Sequence, residues 1–235
     1  MTASDTTGDE VSAPLRADAR RNREQIISAA RALFVERGPE VPMEEIARTA
    51  GVGVGTLYRR FPDRDELIRA VSVDNFQRLR ELAGQIEDEE SEPDVALGRL
   101  LRSTLELRLG LTLSVLSPRA FNSVLGSPAV SEIRAELMEI VRRVVRRAHD
   151  AGVLRGDIDA GDVMLAMSSL ARLVPRAGVP LAEMAFERLL ALTLDGMRTT
   201  PGRPLPGRPV TVEDVDELRS SGALNAWGRP PNPPS

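Results

Sequence analysis

The sequence predicts an all-α fold of about nine helices, with a small three-helix unit at the N-terminus and a larger helical unit after it. Two observations predict this. Apolar residues make up 42% of the 235 while aromatics make up only 3%, so the core must come mainly from Leu, Val, Ala, Ile and Met. Leu- and Ala-rich stretches favour helix over sheet. Apolar positions also recur at three- and four-residue steps along most of the chain, and no run shows a persuasive strand period or an internal repeat.

Composition then removes several classes of function. Cysteine is absent, which excludes disulfides, thiolate zinc sites and cysteine nucleophiles. His149 is the single histidine, and no His/Asp/Glu group has metal-ligand spacing. Neither a metal nor a cofactor is expected, and an all-helical enzyme would lack a polar catalytic cluster. No apolar run reaches the ~18 residues of a spanning helix. The polar, acidic N-terminus does not read as a secretory signal, so a cytoplasmic location without a membrane partner is expected. Net charge is −4 and every basic residue is Arg. A protein that merely coats nucleic acid would usually be basic.

The elements follow in order. Residues 1–14, rich in Thr, Ser, Asp and Gly, read as a disordered arm. From Leu15 to Arg37, Ile26, Ala29, Ala30, Leu33 and Phe34 mark one buried helical face. Arg16, Arg20, Arg21 and Arg23 crowd its first half, and Gly38-Pro39 stops it. Met43, Ile46, Ala47 and Ala50 belong to a short helix, with Glu44 and Glu45 as a solvated first turn. Past a glycine break, Val54, Leu57, Tyr58 and Phe61 form a second, ended by Pro62. Asp63 or a neighbour caps a long helix over 63–86 that carries Leu67, Ile68, Val71, Phe76, Leu79 and Leu82. The first domain is thus 15–70.

The second domain is expected over 87–199. The acidic run from Glu87 to Glu92 reads as a solvated loop. A helix then runs to about Ser117, buried nearly all round over Leu105–Leu116. A short helix covers Arg119–Leu125, and Ser127-Pro128 opens one reaching Ala151. Asp159 or Asp162 starts the next, with Val163, Met164, Met167, Leu170, Ala171 and Val174 apolar. Leu181, Met184, Ala185, Leu189 and Leu192 mark the last long helix. Residues 200–235 form a Pro/Gly/Arg-rich tail, mostly extended, with one weak helix from Thr211 to about Ser220 opened by a Thr211/Asp214 capping box.

The chemistry concentrates in P-M-E-E-I-A-R-T-A-G-V-G-V-G-T-L-Y-R-R-F-P-D-R-D-E-L, residues 42–67. Gly51 suits the left-handed residue of a tight turn between two short helices, so the segment forms a helix-turn-helix. Gly53 and Gly55 each cost roughly 1 kcal/mol relative to Ala inside a helix. That cost at a helix start points to close approach by a phosphate or a base edge. Thr56, Tyr58, Arg59, Arg60 and Arg64 are residue types that contact phosphates and bases. Each also has a plainer reading: Tyr58 as a half-buried core residue, and the arginines as an ordinary solvated face.

This segment closely resembles the helix-turn-helix of the TetR (tetracycline-repressor-like) family. The resemblance covers about residues 20–70 and includes Arg23, Ala30, Leu33, Phe34 and Gly38. It implies that Thr56 and Tyr58 touch phosphates, that Val54, Gly55 and Arg59 face the major groove, and that Arg64 lies by the DNA backbone. Arg23 and its basic turn would add backbone contacts. Two positions depart from the family pattern: Pro42 replaces a Ser or Thr, and Gly53 replaces a polar cap, leaving only its N–H for a phosphate.

The expected function is a ligand-responsive regulator, a repressor, that binds a palindromic double-stranded operator as a homodimer and is released by a small hydrophobic effector. Leu105, Leu109, Leu113, Phe121, Met138 and Met167 are the candidate pocket linings. Met164, Leu170, Leu181, Met184, Leu189 and Leu192 are the candidate dimer contacts. The alternative is a helical ligand-binding or interaction module without DNA binding.

Overall fold

The computed structural model describes residues 12–37, 40–103, 109, 117–171, 180–198 and 204–220. Among them lie ten helices: α1 (Ser12–Arg37), α2 (Met43–Thr49), α3 (Val54–Arg60), α4 (Arg64–Glu89), α5 (Pro93–Arg102), α6 (Pro118–Leu125), α7 (Pro128–Asp150), α8 (Ala160–Ala171), α9 (Pro180–Met197) and α10 (Val212–Ser220). No strand occurs among the described residues beyond one isolated bridge between Leu154 and Arg198. The described residues fall into two compact units, one drawn from 1–77 and 109–131, the other from 78–108 and 132–235. Most of residues 104–116, including Leu105 and Leu113, and residues 172–179, including Val174, lie outside the described residues, as does most of the arm 1–14.

The first unit is built on the apolar positions that the spacing marked. Ile26, Ala30, Leu33 and Phe34 of α1 close on Ile46 and Ala47 of α2, Leu57 of α3, Phe61, and Leu67, Ile68 and Val71 of α4. Leu109 and Ala120 join the same cluster, and the Phe76 and Phe121 rings stack with centroids 6.4 Å apart. The turn between α2 and α3 has a definite chemistry. Gly51 sits at φ 68°. Its N–H donates to the Arg48 carbonyl at 3.1 Å and that of Val52 donates to Ala47 at 3.0 Å. This is a Schellman ending, which satisfies two otherwise orphaned carbonyls and needs a residue free of left-handed strain. Asp63 caps α4 as expected, its Oδ1 accepting the Glu66 N–H at 2.7 Å.

The second unit packs Ala83 and Ile86 of α4, Leu97, Leu100 and Leu101 of α5, Val141, Val144 and Val145 of α7, most of α8, and Phe186 and Leu190 of α9. Two expectations are corrected here. The helix predicted to run from 94 to 117 closes at Arg102 with Ser103 as its cap, the Ser103 hydroxyl donating to the Leu100 carbonyl at 2.6 Å. The acidic run is not a solvated loop. Its first three residues are the last turn of α4, and Glu87 pairs bidentately with Arg143 of α7 at 2.5 and 2.7 Å. That guanidinium lowers the Glu87 carboxyl below its ordinary range. Arg147, one turn further along α7, donates to the carbonyls of Glu87, Glu90 and Ser91 at 3.0, 2.8 and 3.3 Å. The last turn of α4 holds no basic residue of its own. Its exposed carbonyls and negative dipole end are met instead by two arginines from another helix.

The tail helix α10 is part of this unit. Val212 and Val215 are buried in its core. The capping box forms: the Asp214 N–H donates to Thr211 Oγ1 at 3.2 Å and the Thr211 N–H to Asp214 Oδ2 at 2.9 Å. Residues leading into it are tied down as well, the Leu205 N–H donating to Asp157 at 2.8 Å and the Val210 N–H to Asp162 at 2.9 Å. Arg134 and Arg142 of α7 pair with Asp216 and Glu213 of α10. Where the tail crosses α8, a Cβ on Gly161 would stand 2.2 Å from the Thr211 carbonyl oxygen. Only glycine allows that approach.

Candidate nucleic-acid interface

Helix α3 is seven residues long and is positioned by its inward side. Leu57 is fully buried, and Phe61, at its C-terminal cap, is buried beside it. With that side fixed, the 100° step between residues turns Val54, Gly55, Tyr58 and Arg59 outward. Val54 is 40% and Tyr58 41% exposed, which is unusual for large apolar and aromatic side chains on so short a helix. Gly53 caps α3 through its carbonyl alone, which accepts the Thr56 and Leu57 N–H groups at 2.8 and 3.1 Å. Apart from its chain neighbours and the backbone of its own helix, no atom of the described residues lies within 4 Å of where a Gly55 Cβ would be. Packing inside the chain therefore does not require that glycine.

The polar side chains of the head are held in defined directions. Arg59 donates to Thr56 Oγ1 at 3.1 Å, one turn back along α3. Asp18, Ala19 and Asn22 of α1 face Thr56, Arg59 and Arg60 of α3 across a shallow groove. Arg23 lies over the Phe61 ring, its guanidinium carbon 5.7 Å from the centroid, so it braces the C-terminal end of α3. Arg64 is half-buried and donates to the Val41 carbonyl at 2.6 Å, which staples the start of α4 to the residues before α2. The resemblance assigned Arg64 to the DNA backbone; the structure gives its guanidinium a partner inside the head. Sequence reasoning also missed Glu44 and Glu45. Glu45 pairs with Arg37 and Arg48, and Glu44 accepts a hydrogen bond from the Tyr58 hydroxyl at 3.3 Å. Glu45 with Arg48 is an ordinary i,i+3 pair, but Arg37 with Glu45 and Tyr58 with Glu44 lie 8 and 14 residues apart, so no short-range pattern announces those two.

Comparison with known proteins gives this geometry a family. Residues 26–71 match the model of the tetR family of bacterial regulatory proteins, and residues 92–199 match the C-terminal domain of SbtR-like transcriptional regulators. The crystal structure of the TetR transcriptional regulator SCO0520 from Streptomyces coelicolor is 33% identical, with a TM-score of 0.59, over 76% of this chain and 99% of that one. The chain belongs to the TetR family. A TetR regulator from Mycobacterium vanbaalenii is similar too, at 29% identity and a TM-score of 0.53, over 79% of this chain and all of that one. An HTH-type transcriptional regulator of Staphylococcus aureus (strain USA300) is 46% identical over 54 residues, which is 23% of this chain and 29% of that protein. The chain is thus a TetR-family transcriptional regulator with a DNA-binding helix-turn-helix, and not an enzyme.

The remaining candidate residues of this TetR-family chain fall in different places. Leu109 lies in the first unit's core and Phe121 packs against it, whereas Met167 lies in the second unit's core and Met138 packs against that one. Met164 and Leu170 are buried in the second unit's own core and Leu189 packs against it, which takes Met164 and Leu170 out of the set free to meet a second copy. Leu181, Met184 and Leu192 of α9 are instead 72%, 52% and 65% exposed. No group of His and carboxylate side chains able to hold a metal ion occurs among the described residues, and no described helix is long and apolar enough to cross a membrane.

Proposed function

We propose that this regulator is a ligand-responsive repressor that binds a palindromic operator as a homodimer, reads it with α3, and leaves it when a small hydrophobic effector enters its helical body. The observation that carries the reading is the outward face of α3. Val54, Gly55, Tyr58 and Arg59 are solvent-facing while Leu57 locks the helix from behind. A major groove admits a helix of this width, and Arg, Thr and Tyr are suited to base edges and phosphates. Thr56 and Tyr58 take phosphates; Val54, Gly55 and Arg59 face bases; Arg60, Arg23 and the Gly53 N–H add backbone attraction.

The homodimer reading rests on α9. Leu181, Met184 and Leu192 recur at helical steps on one exposed stripe, and such stripes seek cover. A second copy related by a two-fold axis would provide it, and a two-fold dimer suits a palindromic operator. The release mechanism rests on α4, which runs unbroken from the head's core residues Leu67 and Val71 to Ala83 and Ile86 in the second unit. An effector that moves the body would move that rod. Met138 and Met167, both packed in the second unit, remain candidate linings there.

A reporter gene placed behind the DNA that flanks the protein's own gene tests the reading. Repression is expected from the wild-type chain and should weaken at least tenfold in R59A. Unchanged expression with and without the protein would contradict it, and raised expression would make the protein an activator. Sedimentation of L181D/L192D should show monomers where the wild type shows dimers.

A further inference from the structure

We propose that Glu44 acts as a brake on DNA binding by holding the Tyr58 hydroxyl away from a phosphate. The inference rests on the reading of α3 as the DNA-facing helix and deepens it, by adding a residue of α2 that sets how strongly α3 engages. Tyr58 has one phenolic proton to donate, and in the structure it goes to Glu44 Oε1 at 3.3 Å. A carboxylate and a phosphodiester are both pure acceptors under ordinary conditions, so they compete for that single proton. Tyr58 must release Glu44 before it can donate to DNA.

Charge acts in the same direction. Glu45, the next residue, is matched by Arg37 and Arg48. Glu44 is exposed and, among the described residues, has the Tyr58 hydroxyl as its hydrogen-bond partner and no cation in ion-pair range. A phosphate drawn to Tyr58 therefore approaches an unneutralised carboxylate, and like charges at short range repel. A lone carboxylate on a surface otherwise rich in arginine lowers affinity for every sequence equally. Such a uniform penalty leaves the preference between sequences unchanged and raises the strength of base contacts a site needs before it is occupied at all.

The test is a double-mutant cycle read as DNA affinity by fluorescence anisotropy, with the four full-length chains Glu44/Tyr58, E44Q, Y58F and E44Q/Y58F on one duplex selected by the wild type. E44Q is close in shape, sits on an exposed turn, and should leave the melting temperature in place. The expected result is roughly three- to tenfold tighter binding by E44Q with Tyr58 present, because a neutral amide oxygen competes less well than a carboxylate for the phenolic proton and the repulsion is gone, and a clearly smaller gain, from charge alone, when residue 58 is Phe. Unchanged or weaker binding by E44Q overturns the proposal. An equal gain in both backgrounds overturns it too, because the effect would then be charge alone. If Y58F matches the wild type, the underlying reading of Tyr58 as a phosphate contact fails instead. Tyr58 is the only tyrosine in the chain, so 3-fluorotyrosine gives a single reporter at that site. Its fluorine signal in the free protein should move in E44Q; an unmoved signal contradicts the hydrogen bond.

Discussion

At the scale of single residues, Leu57 decides which side of α3 looks outward. Its side chain is completely enclosed by the head's core, so L57A should cost about 2–5 kcal/mol of stability. A urea melt of the full chain should show the head unfolding at lower denaturant, with DNA affinity falling alongside. A melt unchanged in L57A would contradict the assignment of α3's inner face. Gly161 is the second such residue. Crowding by a methyl group against two carbonyl oxygens predicts a loss of about 1–3 kcal/mol in G161A, with protection lost first at residues 204–220. Asp157 adds a pH dependence there. The Arg155 guanidinium, and then the Leu205 N–H, lower its carboxyl to about 2. A depressed folded-state value means the tie is whole above the ordinary 3.8 and is lost as pH falls from there through about 2. The Leu205 amide, followed by NMR, should lose its hydrogen bond in that window and not at higher pH.

At the scale of elements, legibility followed the range of the interactions. The turn at Gly51, the caps at Asp63 and Ser127 and the box at Thr211 and Asp214 each involve residues within a few positions of one another, and all could be read from the chain. The outward face of α3 was not legible that way: apolar spacing groups Val54 and Tyr58 with the buried Leu57 and Phe61, and only the family resemblance turns them outward. The acidic run was not legible either, because what recruits Glu87 is Arg143, 56 residues later. The staple from Arg64 to the Val41 carbonyl and the pairing of Glu44 with Tyr58 are hidden likewise, since composition reads an isolated charge as solvated. The grip on α4 has its own consequence. R147A removes three hydrogen bonds to backbone carbonyls at the end of the helix. Hydrogen exchange in residues 86–91 should speed up at least tenfold in R147A, while exchange in α2 and α3 stays as in the wild type. Equal exchange at 86–91 would show that water replaces Arg147 without loss.

At the scale of the whole molecule, an acidic chain with net charge −4 owes its DNA binding to local arrangement. Arg20, Arg21 and Arg23 on α1 and Arg59 and Arg60 on α3 lie on the head, while Glu87, Asp94, Glu187 and Glu213 of the second unit pair with arginines of that unit. Binding should therefore be steeply salt-dependent and confined to the head. The most direct measurement is an anisotropy titration of the wild type and R59A on DNA flanking the gene and on a scrambled duplex, across a range of salt. The account predicts that the wild type prefers the flanking DNA by at least a hundredfold, that affinity falls steadily with added salt, and that R59A loses most of the preference while keeping the weaker binding to scrambled DNA. Equal affinity for both duplexes, or a preference that survives R59A intact, would contradict it.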